Sequence, residues 1–282
     1  MMGRFARSWA LIKASAGVLR SDTELLVFPL LSSIATLMVV ASFVAPLFVL
    51  QEPQAQELSE KGFSLLYLLW FFGFYLCQYF IIFFFNSALV GAAMIRLQGG
   101  DPTLSDGLRI AWSKVGVIFG YAMIAATVGM ILRAIEQRAG FIGSWIAGLF
   151  GAAWTVASFL VVPILVSQNI GPIEAVKRSA MMLKQSWGEN LIGNGGIGLV
   201  GGFLTALVLL FGAALTVAAG VNQLPGLAIT LGALTVVAAL LMGLIQAALS
   251  GIYSAALYRY ADGGESQGFD RTLLQGAFAH KG

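Results

Sequence analysis

Few residues in this sequence suit acid–base, nucleophilic or metal chemistry. The single histidine, His280, stands just before the C-terminal Lys281 and Gly282, and the single cysteine, Cys77, sits in an apolar run with Phe74, Tyr75, Leu76, Gln78 and Tyr79. One His and one Cys cannot supply a His/Cys zinc site, and a lone cysteine cannot close an intrachain disulfide. The thiol is expected to be a buried small hydrophobe. The carboxylates Asp101, Asp106, Glu174 and Asp262 are the remaining metal-type ligands, and helix capping accounts better for Asp101, which precedes Pro102. Arg133, Glu136 and Arg138 form a charged cluster that reads either as a solvated turn or as a rim for an anion. No catalytic centre, cofactor site or metal site is expected, and hence no enzyme.

Uncharged polar residues inside long apolar runs are more informative. Gln78, Tyr79, Asn86 and Ser87 fall along one run, and Gln246, Ser250, Tyr253 and Ser254 along another. Gln246, Ser250 and Ser254 recur at every fourth position and share a helix face. Two readings stay open: hydrogen bonds between helices that hold a bundle together, or the polar lining of a cavity for lipid or solute, with Gln78, Asn86, Gln246, Ser250 and Ser254 as its residues. Gly243 and Gly251 lie on the adjoining face and, with the Gly198–Gly202 pair, are expected to let helices approach closely. The surrounding run from Gly193 to Gly202 lacks the Lys and Ser/Thr that a phosphate-binding loop requires.

The elements that must position these groups follow from composition. Hydrophobic residues make up 59% of the 282 positions and charged residues 10%, well below the roughly 25% of a soluble domain. Too little polar surface remains to coat a water-soluble globule, so the expected class is an all-α polytopic membrane bundle. Six transmembrane helices are predicted, at about 25–50, 63–95, 115–132, 139–170, 191–221 and 226–258, in a single domain over 1–282. The turn residues Asn222, Gln223, Pro225 and Gly226 separate the last two. The first run is too long for a signal-peptide core and is taken as a retained span. Pro46 and Pro163 are expected to kink or end their helices.

The polar connectors read as interfacial helices at about 4–20, 102–113, 172–187 and 268–279. In the first, Phe5, Trp9, Ile12, Ala16 and Leu19 make one apolar stripe. In the second the stripe is Leu104, Leu108, Ala111 and Trp112, and in the third Val176, Ala180, Leu183 and Trp187. All but three of the 16 lysines and arginines (the three are Lys61, Arg133 and Arg138) lie in segments that fall on one side of such a bundle. The positive-inside rule then places both termini in the cytoplasm. Arg7, Lys13, Arg20, Arg109, Lys114, Lys177, Arg178 and Lys184 are the expected contacts to anionic lipid headgroups. The order surface helix, then hairpin, occurs three times. It reads either as a threefold repeat or as the connectors that any hairpin protein needs.

The stretch FFNSALVGAAMIRLQGGDPTLSDGLR, Phe84 to Arg109, resembles an uncharacterised family of bacterial integral membrane proteins. GPIEAVKRSAMMLKQSWGENLIGN and YSAALYRYADGG resemble further segments of it, so the likeness runs over nearly the whole chain. The resemblance implies a bacterial inner-membrane location and no biochemical role. The arrangement is more distantly similar to the membrane domain of some bacterial glycerophosphodiester phosphodiesterases. The catalytic barrel of those enzymes has no counterpart in these residues, so their activity is not carried over. Two functions are therefore weighed: a scaffold, assembly or lipid-organising protein acting through anionic lipids, a membrane-protein partner or a second copy of itself, and a carrier or channel for a small or amphipathic solute. Nucleic acid is not an expected partner.

Overall fold

A computed structural model describes residues 4–49, 65–138, 140–184, 190–264 and 266–269. Among them the chain forms ten α-helices, one 3-10 turn and no strand. The helices are α1 Arg4–Ser21, α2 Val27–Val49, α3 Leu65–Leu97, α4 Leu104–Ser113, α5 Val115–Arg138, α6 Gly140–Ser158, α7 Val161–Ser167, α8 Pro172–Lys184, α9 Asn190–Val221 and α10 Pro225–Ala261, with the 3-10 turn Thr23–Leu26 leading into α2. Six stretches are long and apolar enough to span a bilayer: Thr23–Pro46, Leu68–Leu97, Val115–Gln137, Gly143–Ser167, Val200–Val221 and Pro225–Ala261. The protein is a multi-pass helical membrane bundle, as the uncharged runs predict. The fourth interfacial helix, predicted over 268–279, lies almost wholly outside the described residues.

The core occupies only one half of the bundle. Its fully buried large residues, among them Leu25, Phe28, Leu89, Leu97, Ile118, Leu160, Ile164, Ile252 and Leu257, come from the ends of helices nearest the short connectors. Toward the opposite end the helices expose apolar side chains such as Leu37, Leu69, Leu149, Phe203, Leu210, Phe211 and Ile229, which in a membrane protein face hydrocarbon. Cys77 belongs to this outer surface and is exposed rather than buried.

The connectors are tied to one another at the core end. Arg96, at the foot of α3, donates from Nη1 to Asp101 Oδ1 at 3.0 Å and from Nε to Ser21 Oγ at 3.3 Å. Lys114 Nζ donates to the carbonyl oxygen of Gln168 at 3.0 Å and also to Asn169 Oδ1. The backbone N–H of Gln267 donates to the Leu97 carbonyl at 2.9 Å. All four polar segments are thereby brought to the same end.

One helix cap differs from expectation, and the two prolines behave differently. The cap of α4 is Thr103, whose hydroxyl accepts from the Asp106 N–H, while the Asp106 carboxylate accepts from the Thr103 N–H. This reciprocal arrangement gives the Thr103 N–H its acceptor and the Asp106 N–H a second one beside the Thr103 carbonyl, so it outcompetes a cap at Asp101 and leaves that residue to pair with Arg96. The fourth span is broken: α6 ends at Ser158, and α7 begins at Val161 with Pro163 in its first turn. A proline interrupts the ladder N-terminal to itself, which is where the break falls. Pro46, by contrast, lies inside α2, three residues before its described end.

Candidate functional site

At the boundary between the buried core and the lipid-exposed half lies a cavity of about 330 Å³, at the lower end of the size range of small-ligand pockets. Its polar lining comes from Ser32 on α2, Asn86 on α3, Ser158 at the end of α6, and Ser250 and Ser254 on α10. Three of the five residues proposed from sequence are thus assembled across spans two and six. Ile82, Phe83, Phe85, Tyr121, Phe159 and Val162 supply most of its apolar wall.

The depth of the cavity follows from helix rise. At 1.5 Å per residue, Asn86 lies about 16 Å along α3 from Leu97, and Ser254 about 10 Å along α10 from Ala261. The polar lining therefore runs from the leaflet next to the connectors to about the middle of the slab. Ile82 and Ala247 at the rim lie about 21 Å or more from the same helix ends, and both remain exposed. An exposed rim that deep in a 30 Å hydrocarbon slab faces lipid, so the cavity opens sideways into the bilayer.

The polar groups differ in how they are satisfied. Ser254 Oγ donates to the Gly251 carbonyl at 2.9 Å, which leaves its hydroxyl free to accept, whereas Ser158 Oγ contacts the Trp154 carbonyl at 2.7 Å and also hydrogen-bonds with the Tyr121 hydroxyl. Asn86 makes no hydrogen bond with any described residue. Its Oδ1 points toward the Cα of Gly251, where an added Cβ would lie 3.5 Å from it. A carboxamide in a membrane interior without a partner costs free energy until a ligand or water reaches it.

The other two residues proposed for the lining do not reach the cavity. Gln78 donates from Nε2 to the Thr36 carbonyl at 3.4 Å and so bridges α3 to α2. Gln246 lies over Gly201, where a Cβ would come within 2.6 Å of its side chain. Positions four apart on an α-helix are offset by about 40°, so a row of every fourth residue drifts round the helix. That drift turns Gln246 toward α9 while Ser250 and Ser254 face the cavity.

Close helix contacts also use glycines other than those expected. Gly251 approaches Leu89 on α3, with 2.5 Å between its would-be Cβ and Leu89 Cδ2. A Cβ on Gly198, Gly202 or Gly243 would meet no described atom within 4 Å, so these three do not bring helices together within the described chain. The tight approaches are made by Gly201 and Gly212 in the last hairpin and by Gly91 and Gly107 between α3 and α4. A GxxxG spacing defines a face but not the neighbour that fills it.

The break in the fourth span forms part of the cavity wall, since Ser158, Phe159 and Val162 all line it. The Leu160 N–H, left unpaired by the break, donates to Ser179 Oγ of α8 at 3.1 Å in a fully buried contact. Ser179 belongs to the buried row Ala175, Ser179 and Leu183, one residue removed from the apolar stripe expected for that helix. Ser179 and the wall residue Ser158 were not anticipated. The signal available for Ser158 was Pro163, which marks a break but not its partner.

The cationic side chains lie outside this cavity. Lys13, Arg20, Arg109, Lys177 and Arg178 are exposed, with Lys13 Nζ 5.7 Å from the centre of the Trp9 ring. Arg109 and Trp112 border a shallow groove with Phe84, Leu104 and Leu108. Lys114, expected at headgroups, is instead occupied by Gln168 and Asn169. The side chains of Arg7 and Lys184 lie outside the described residues. At the far end of the bundle, Arg133 donates to the Tyr75 hydroxyl. No group of three His, Cys, Asp or Glu side chains comes together among the described residues.

A family model described as a family of unknown function (DUF6159) matches residues 65–269, from the second span to the segment beyond the last. No curated protein matches the chain.

Proposed function

The chain belongs to the DUF6159 family of unknown function, and for this member we propose a non-enzymatic membrane protein that works through lipid, holding an amphipathic molecule in the cavity between spans two and six. The reading is carried by Asn86, a carboxamide without a partner among the described residues in the polar lining of a laterally open cavity. The exposed Lys13, Arg20, Arg109, Lys177 and Arg178 support a further attraction to the anionic cytoplasmic leaflet of a bacterial inner membrane, about 1 kcal/mol per cation near the surface. With the basic segments cytoplasmic, both termini face the cytoplasm. The exposed apolar flanks of α9 and α10 leave room for a second copy or a membrane-protein partner.

The test is lipid identification. Wild-type protein and Asn86→Leu are extracted from native membranes into the same mild detergent, and bound lipid is measured by mass spectrometry. Wild type should retain a lipid species enriched over bulk membrane that Asn86→Leu loses. Equal lipid profiles for the two proteins would remove the cavity from the function. Impermeant labelling of single cysteines at Trp112 and Asn222 tests orientation, which requires the first site to be inaccessible from outside and the second accessible.

A second reading, a carrier or channel for a small or amphipathic solute, is favoured by one observation. The span that walls the cavity is discontinuous, and transporters build their sites from such broken helices. Flux of an amphipathic tracer through proteoliposomes, lowered by Asn86→Leu, would separate a carrier from a protein that only holds its ligand.

A further inference from the structure

We infer that the occupant of the cavity is an uncharged lipid with a hydroxyl-bearing head, of the diacylglycerol or long-chain alcohol class, and not a phospholipid. The inference rests on the lipid-holding reading above and specifies its ligand.

The first argument is charge. Among the described residues, the lining contains no Lys, Arg, His, Asp or Glu. A phosphate or ammonium drawn into the cavity would exchange water for serine hydroxyls and aromatic edges with no counter-ion, and burying an unpaired charge is far more costly than burying a hydroxyl. The exposed Arg109, which could meet a phosphate, borders a different and open groove. Anionic headgroups are served at the surface and neutral ones inside.

The second argument is hydrogen-bond complementarity. Ser254 spends its proton on its own helix and presents lone pairs, Ser158 pairs with the Tyr121 hydroxyl beside it, and the Asn86 amide offers two donors and an acceptor. A ligand hydroxyl donates to Ser254 Oγ or to Asn86 Oδ1, and an ester or hydroxyl oxygen accepts from Asn86 Nδ2. A group that only accepts, such as a phosphate, leaves the Ser254 lone pairs unmatched.

The third argument is direction. The polar lining is deepest at Ser254, about 10 Å from the connector end, and the rim at Ile82 and Ala247 opens to hydrocarbon near mid-membrane. A molecule arriving from the bilayer thus enters head first and leaves its chain along the exposed flanks of α3 and α10. A polar solute from water would have to cross the hydrocarbon to reach the same opening.

Two photoactivatable probes that differ only by the phosphate, a diacylglycerol and the corresponding phosphatidic acid, distinguish the classes. The full-length protein is reconstituted in phosphatidylcholine nanodiscs, each probe is titrated and cross-linked, and the labelled peptides are mapped. Diacylglycerol should label α3 around Phe83–Leu89 or α10 around Ala247–Ser254 at saturating occupancy. Its affinity should fall about tenfold in Asn86→Leu, the equivalent of one lost hydrogen bond. Ala247→Trp, which narrows the mouth at an exposed position, should lower labelling without touching the polar lining. Phosphatidic acid should label these peptides only weakly and insensitively to Asn86→Leu. If phosphatidic acid labels them as well as diacylglycerol and with the same dependence on Asn86, the uncharged class is wrong while the lipid-holding reading stands. If neither probe labels the cavity, or if diacylglycerol labelling ignores both variants, the reading and the inference fail together.

Discussion

Replacing Asn86 with leucine should stabilise the empty protein, an outcome opposite in sign to that of most substitutions at a packed helix position. Leucine is close to asparagine in size, so the change leaves little void and forces little overlap. What it removes is a carboxamide that bonds to no described residue and lies partly buried in a cavity lined by Phe, Ile and Leu side chains together with serine hydroxyls. A fully buried unpaired amide costs about 1–3 kcal/mol by mutational measure. Because the group opens into a cavity that can admit water, the low end applies, and Asn86→Leu should gain about 1 kcal/mol. Gln78→Leu is the matched control on the same helix. It deletes a bonded amide, strands the Thr36 carbonyl, and should lose about 0.5–1.5 kcal/mol. Reversible unfolding in a fixed detergent mixture, followed by circular dichroism after lipid is stripped, compares the two. A loss of 1 kcal/mol or more in Asn86→Leu would show that the amide has a structural partner, and the case for an unfilled binding group would be lost.

Ser179→Ala leaves the Leu160 N–H buried without an acceptor and should cost about 1–3 kcal/mol in the same unfolding assay, while Ser179→Thr should largely preserve the bond. Gly107→Val should destabilise by a similar 1–3 kcal/mol and loosen α4, since even a Cβ there would run into the Phe28 ring and come within 2.8 Å of the Ala88 carbonyl. Hydrogen exchange across Leu104–Ser113 reports the loosening. Burial raises the pKa of Asp22, with the Arg96 guanidinium opposing, so the folded state favours the protonated carboxyl. The wild type should therefore lose stability relative to Asp22→Asn as pH rises above the usual 3.8, and the difference should close below it. Melting curves of the two proteins from pH 3 to pH 7 test the sign.

Much of this architecture was legible because hydrocarbon is an unforgiving solvent. Uncharged runs longer than about 18 residues favour spanning, and all six contain a helical stretch long and apolar enough to do so. Short-range competition was harder to read: Asp101 and Thr103 are both good caps, and only the reciprocal bond from Asp106 decides between them. Register around a long helix was harder still. Gln246 shares a row with Ser250 and Ser254 on paper, yet the helical drift presents it to Gly201. Gly243 and Gly251 likewise share a face, but only Gly251 finds Leu89 opposite it. Contacts between distant segments, such as Ser179 with Leu160, carry no local signature.

The last hairpin has an uneven footing. In α10, Ala248 and the run from Gly251 to Tyr258 are buried, whereas no residue from Pro225 to Ala247 is, and α9 leans mainly on α10 and α1. Ala247 and Ser250, which form one jamb of the cavity, thus stand where α10 passes from the buried foot to the part that packs against α9 alone, so the doorway is framed by a single helix–helix contact on that side.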